Sequence, residues 1–144
     1  MTEPIRLSYE LECDQAHAFE VWAHRFSAWW PKSHRISGDP SADVFFEPNL
    51  GGRIFERTSD GTEIEWGEVT RWEPPRRLGY LWHIRRDRDD ATDVDILFTD
   101  LGNGRTLIEI VHTGWERLED GPDWRTANER AWTTLMPAYL TATD

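Results

Sequence analysis

One cysteine and one lysine stand in this chain of 144 residues, and each scarcity excludes something. The lone Cys13 can form neither an internal disulfide nor a thiolate metal set, which points to a reducing compartment and to ordinary packing at the end of a strand. With Lys32 the single lysine, arginine carries the remaining positive charge, a pattern that fits many bidentate ion pairs or simply a skewed genomic base composition. Cations of any kind are outnumbered, 16 Lys plus Arg against 27 Asp plus Glu, for a net charge of −11. Such a surface repels phosphate backbones and anionic lipid heads, so neither nucleic acid nor membrane is an expected partner. No apolar run reaches the ~18–20 residues of a spanning helix, and MTEPIRLSYE lacks the basic-then-apolar pattern of a signal segment. A soluble, cytoplasmic protein is expected.

Familiar chemical signatures are also missing. The five histidines, 17, 24, 34, 83 and 112, include no pair at metal-ligand spacing within one element, so no metal site is expected. Gly51-Gly52 falls between apparent strands and reads as a bulge or a close backbone approach, not a phosphate loop. There is no nucleophile elbow and no cysteine with a catalytic histidine in local context. No cofactor is expected.

Aromatic residues, by contrast, are abundant: 12% of the chain, nine of them tryptophan. The stretch WGEVTRWEPPRRLGYLW, Trp66 to Trp82, predicts two adjacent strands, 63–73 and 77–86, with a corner at Pro74-Pro75, where two residues lack ladder donors. Rings that each bury ~150–250 Å² must have one face of that sheet covered. Counting from Trp66 turns Ile64, Glu68 and Trp72 inward, whereas counting from Val69 turns Glu65 and Gly67 inward; a bulge near Gly67 reconciles the two.

The rest of the chain fits around this pair. Ile5, Leu7, Tyr9 and Leu11 alternate with polar residues and predict a first strand over 5–12. Asp14 caps a short helix from Gln15, and a second helical piece runs from about Arg25 to Trp30, where Pro31 ends it. Residues 32–43 read as a loop placed to serve as a lid beside Trp29 and Trp30. Strands follow at Val44-Phe45-Phe46 and from Gly51-Gly52 to Arg57, then beyond the hairpin signals Ser59-Asp60-Gly61 and Leu101-Gly102-Asn103-Gly104, ending with 105–113. From Pro122 to about Thr141, Trp124, Ala127, Ala131, Leu135 and Ala138 recur at helical spacing, widened by Trp132, Met136 and Tyr139. Pro137 should bend or loosen the last turn. The expected architecture is α+β: six or seven antiparallel strands curved around a long C-terminal helix, in one domain over 1–144.

A series of short motifs sharpens this expectation: Trp29-Trp30-Pro31, Glu47-Pro48, Gly51-Gly52-Arg53, Glu56-Arg57, Asp60-Gly61, Trp66-Gly67-Glu68-Val69, Glu73-Pro74-Pro75-Arg76-Arg77-Leu78, Trp82, Gly104-Arg105-Thr106, Glu109, His112 and Gly114-Trp115. Together they resemble the SRPBCC domains of the START-like superfamily, in the branch similar to the C-terminal domain of the activator of heat-shock-protein-90 ATPase. The resemblance implies a helix-grip fold with a hydrophobic cavity between sheet and helix, and this superfold hosts many unrelated functions.

Candidate ligand-binding residues are Trp30, Phe55, Trp66, Tyr80, Trp82, Phe98, His112, Trp115, Trp132 and Met136, although aromatics in a small protein mostly build core. His112 shares a strand face with Ile108 and Ile110. It is either a neutral core histidine or a hydrogen-bonding handle and weak catalytic candidate. Glu56, Glu65, Glu68 and Glu109 either converge with Arg53 on a polar ligand head or form cross-strand ion pairs outside. Three functions remain open. The first is binding of a small hydrophobic or amphipathic molecule without assured catalysis; the second is a cyclase, dehydratase or hydrolase using His112 or a cavity Glu, with Tyr80 as donor. The third is a stress-related, co-chaperone-like module with a protein partner. The chain is expected to be a monomer or homodimer.

Overall fold

The computed structural model describes residues 3–144. Seven strands form one antiparallel, curved sheet: β1 (Ile5–Leu11), β2 (Asp43–Phe46), β3 (Arg53–Arg57), β4 (Glu63–Glu73), β5 (Arg77–Trp82), β6 (Thr92–Gly102) and β7 (Arg105–Thr113). Their order across the sheet is β1-β7-β6-β5-β4-β3-β2, a meander whose first strand returns beside the last. Two short helices, α1 (Gln15–His24) and α2 (Phe26–Trp29), link β1 to β2, and α3 (Gly121–Ala142) follows β7. The arrangement is the helix-grip fold.

Local chemistry explains the boundaries. Asp14 accepts a hydrogen bond from the His17 amide at 2.8 Å and so starts α1. Pro122 occupies the first turn of α3, where its missing amide proton costs nothing. As the spacing predicts, α3 runs on past Pro137, to Ala142. The bond that proline removes would have gone to the Thr133 carbonyl on the exposed side, while Met136 and Tyr139 stay fully buried.

The facing of β4 is resolved by two register shifts. Ile54 pairs with Gly67 but Phe55 with Glu65, so Trp66 is an extra, bulged residue; a second shift lies between Val69 and Arg71. Trp66, Gly67 and Val69 are consequently all buried. Gly52 approaches the same strand closely, its carbonyl accepting from the Val69 amide at 2.7 Å. A Cβ on Gly52 would stand 2.5 Å from the Glu47 carbonyl oxygen, which is why glycine is needed there.

The strand expected to reach residue 86 stops at Trp82. The His83 amide bonds the bulged Trp66 carbonyl at 2.7 Å, the Arg86 amide returns to the His83 carbonyl, and Arg85 turns the chain at a left-handed φ of 65°. This early turn carries Ile84 and Arg85 out of the sheet toward α3.

Candidate functional site

Beneath α3 the inner face of the sheet is filled by aromatic rings. Trp22, Trp29 and Tyr139 pack with centroids about 5 Å apart at steep angles, and the Tyr139 hydroxyl donates to the Ala18 carbonyl at 2.8 Å. Toward the other end of the helix the filling is incomplete. A cavity of about 220 Å³ opens between α3, the residues following β5 and the loop after α2. Trp30, Trp82, Trp124 and Trp132 provide its aromatic walls, and Ala127 and Ala131 on α3 leave the space that larger side chains would occupy. Its polar lining is His34, Arg85 and Asn128.

The loop that closes one side is tied down at two points. Arg35 donates to the carbonyls of Ser27, Trp30 and Ala42, fixing the turn after α2. Glu56, a fully buried carboxylate on β3, accepts from the Ile36 amide at 2.8 Å, the Ser37 amide at 3.2 Å and the Ser37 hydroxyl. Between these ties the Trp30 indole N–H donates to the His34 carbonyl at 3.1 Å, so His34 is held beside the cavity. Partial burial and then the neighbouring Arg85 guanidinium lower the His34 pKa, keeping this imidazole neutral near pH 7.

Of the residues expected at the site, Trp30, Trp82 and Trp132 come together around the cavity. Trp66 stands behind them, its ring 5.7 Å from Trp30 and 6.0 Å from Trp82, and Tyr80 lies 5.6 Å from Trp82. Phe98 and Met136 are buried in the core away from the cavity lining. Phe55 faces the opposite side of the sheet, stacked on Phe45 with the Arg53 guanidinium 4.2 Å from its ring centre.

His112 lies behind Trp132 and does not line the cavity. The Trp132 indole N–H donates to His112 Nδ1 at 3.0 Å, an atom that accepts only when unprotonated. The proton therefore sits on Nε2, which donates to Thr92 Oγ1 at 2.6 Å, and that hydroxyl donates to the Trp82 carbonyl at 3.3 Å. Trp115 completes the enclosure, donating its indole N–H to the His112 carbonyl at 3.0 Å. Burial pulls the His112 pKa down to about 3. Among the candidate glutamates, Glu65 meets His83 and Arg88, Glu68 meets Arg88, and Glu56 ties the loop. They do not converge with Arg53, which pairs with Glu47 and Glu63 outside.

Sequence reasoning missed His34, Arg85 and Asn128 as lining residues. One signal was available: Ala127 and Ala131, successive small residues between Trp124 and Leu135 in the helix stripe, mark a place where the helix does not fill the space below it.

A model of the family described as activator of Hsp90 ATPase homolog 1-like protein matches residues 13–143. Among solved structures, an anthrahydroquino-γ-pyrone synthase is 35% identical with a TM-score of 0.61, covering 84% of this chain and 82% of that one. The self-sacrificing resistance protein CalC from Micromonospora echinospora is 23% identical, TM-score 0.69, over 99% of this chain and 94% of its own. The Aha1 dimer from Colwellia psychrerythraea is 12% identical, TM-score 0.71, over 99% and 96%. The last two likenesses show the shared fold alone. No curated protein matches the chain.

Proposed function

This chain belongs to the activator of Hsp90 ATPase homolog 1-like family, and because a fold does not fix a reaction, we propose its function from the cavity: it binds a small, apolar or amphipathic ring molecule. The observation carrying this reading is the cavity of about 220 Å³ walled by four tryptophans where α3 presents alanine. A flat ring system gains most there, because aromatic walls offer large rigid contact area and few polar groups to satisfy. The 35% identity to a synthase whose name specifies a fused anthrahydroquinone skeleton supports the same ligand shape.

Native mass spectrometry of freshly purified protein, with organic extraction of retained compounds, tests for a natural occupant. Titration with neutral N-phenyl-1-naphthylamine, read by quenching of tryptophan emission, tests the cavity itself. Ala131→Phe, which fills the space from the helix side, should weaken the probe at least about tenfold while leaving the melting temperature within a few degrees. Undiminished binding in this variant would place the probe elsewhere and defeat the proposal.

The same identity favours a second reading, in which the bound molecule is also converted. Its polar contacts would then be His34, Arg85 and Asn128, since His112 is sealed from the cavity. A new product on incubation with an anthrahydroquinone substrate, lost in His34→Ala while binding persists, would establish this reading. Unchanged substrate throughout would leave binding without turnover.

A further inference from the structure

Arg85 stands at the cavity mouth in a backbone conformation that needs a reason. Its φ of 65° is uncommon for residues other than glycine and asparagine, and such outliers cluster where a side chain must be aimed. Here the turn directs Arg85 to the boundary between the aromatic cavity and a shallower polar depression, both of which it lines together with Trp124. One guanidinium nitrogen donates to the Arg35 carbonyl at 3.2 Å, linking the mouth to the covering loop.

Its neighbours are occupied differently. Arg86 is paired with Asp90 and Asp120, and Arg88 with Glu65 and Glu68. Those pairs also consume Glu65, Asp90 and Asp120, three of the four acidic side chains that share the depression with Arg85; the fourth, Asp87, forms no ion pair with it. Among the described residues, Arg85 has no carboxylate within 4.0 Å. A guanidinium carries five donors, and the carbonyl of Arg35 takes one of them. An exposed guanidinium without an ion pair, set beside an apolar wall, favours the opposite sign locally, against the long-range repulsion of anions by a chain of net charge −11.

We infer that the ligand is a planar aromatic anion whose rings lie among Trp30, Trp82 and Trp124 and whose carboxylate or ionised phenol meets Arg85. The inference rests on the reading that the cavity binds ring systems, and adds the charge of what it takes. His34, held neutral across the mouth, leaves Arg85 as the cation of the cavity lining and contributes one hydrogen-bonding nitrogen. The rim is open to water, so the charge contact acts mainly as a discriminator and not as the main source of affinity.

The test compares two probes of nearly equal shape, anthracene-2-carboxylate and anthracene-2-carboxamide, against the wild type, Arg85→Asn and Arg85→Lys. Asparagine tolerates the left-handed backbone, so the first variant removes charge with little effect on the turn. The wild type should bind the carboxylate about tenfold more tightly than the carboxamide. Arg85→Asn should erase that preference while changing carboxamide binding by less than about twofold, and Arg85→Lys should keep part of it. Equal affinities in the wild type, with the carboxamide bound, would overturn the inference and leave the cavity reading standing. Equal weakening of both probes by Arg85→Asn would overturn it too, reducing Arg85 to a fastening of the loop. If neither probe binds, the cavity reading fails and takes this one with it.

Discussion

Trp132 separates two regions that treat polar groups in opposite ways. On one side its indole N–H enters a closed chain from Trp132 to His112, Thr92 and the Trp82 carbonyl, in which donors and acceptors meet one to one. On the other side its ring borders a cavity whose polar groups include Arg85, held by a single backbone carbonyl. Both regions are aromatic. Where polarity is satisfied from within, it specifies one packing arrangement; where it stays available beside an apolar wall, it can recognise something else. The histidine that sequence reasoning singled out belongs to the first kind, and the arginine it passed over belongs to the second.

Breaking the closed side should have the largest effect. His112→Ala would orphan the Trp132 indole N–H, remove the partner of Thr92 and open a void, at a cost of about 3–5 kcal/mol in urea unfolding. If His112 were instead a reacting group, its loss would spare stability and abolish turnover. Acid sharpens the same contrast. With a folded-state pKa of about 3 against an ordinary 6.5, the unfolded chain takes up a proton that the folded chain refuses. Stability from this site is therefore intact above pH ~6.5 and falls as pH drops toward ~3, by about 1.4 kcal/mol per pH unit. A His112→Gln variant should unfold with a shallower acid dependence over that window. An unchanged slope would mean that carboxylates elsewhere dominate it.

A smaller effect is expected at the tie of the covering loop. Glu56→Gln exchanges an acceptor-only carboxylate for an amide whose NH2 must face a donor, either the Ile36 amide or the Ser37 amide and hydroxyl. Stability should drop by about 1–2 kcal/mol, and stopped-flow dissociation of a bound probe should accelerate several-fold as the loop loosens. An unaltered dissociation rate in a destabilised variant would show that the probe leaves by another side of the mouth.

The difference between the regions also explains what could be seen in the sequence. Period-two alternation, turn residues and the motif series from Trp29-Trp30-Pro31 to Gly114-Trp115 were enough for the succession of antiparallel strands, the final helix and the family, but not for the return of β1 beside β7. Even the bulge on β4 was legible, because two alternation counts collided at Gly67 and one inserted residue was the simplest repair. The cavity was legible only as aromatic surplus. Trp30, Trp82 and Trp132 line it while Phe98 and Met136 do not, and these residues look alike in sequence because burial against a partner and burial against a void use the same side chains. Arg85 was hidden for another reason. Alternation suggested that the strand continued to residue 86, whereas the bulged Trp66 carbonyl captures the His83 amide and turns the chain early. That event depends on a bulge at Trp66, well upstream of His83 in the sequence and beyond any local pattern.

The finest test concerns Tyr80, which fits neither kind of region. It is fully buried beside Trp82, and its hydroxyl has no hydrogen-bond partner among the described residues; the indole N–H groups of Trp22 and Trp66 also lack one. Burial pushes the hydroxyl's ionisation far above its ordinary range, and the nearby Trp22 indole offsets this only in part. A buried donor without a partner has already lost its water, so deleting it should relieve a cost instead of creating one. Tyr80→Phe is thus expected to leave stability unchanged or raise it by up to about 1 kcal/mol in urea unfolding, unlike the large loss at His112. A loss above ~1 kcal/mol would reverse the assignment. It would mean that a trapped water joins Tyr80 to the indoles, and that the satisfied network around His112 extends to a second polar centre beneath the same helix.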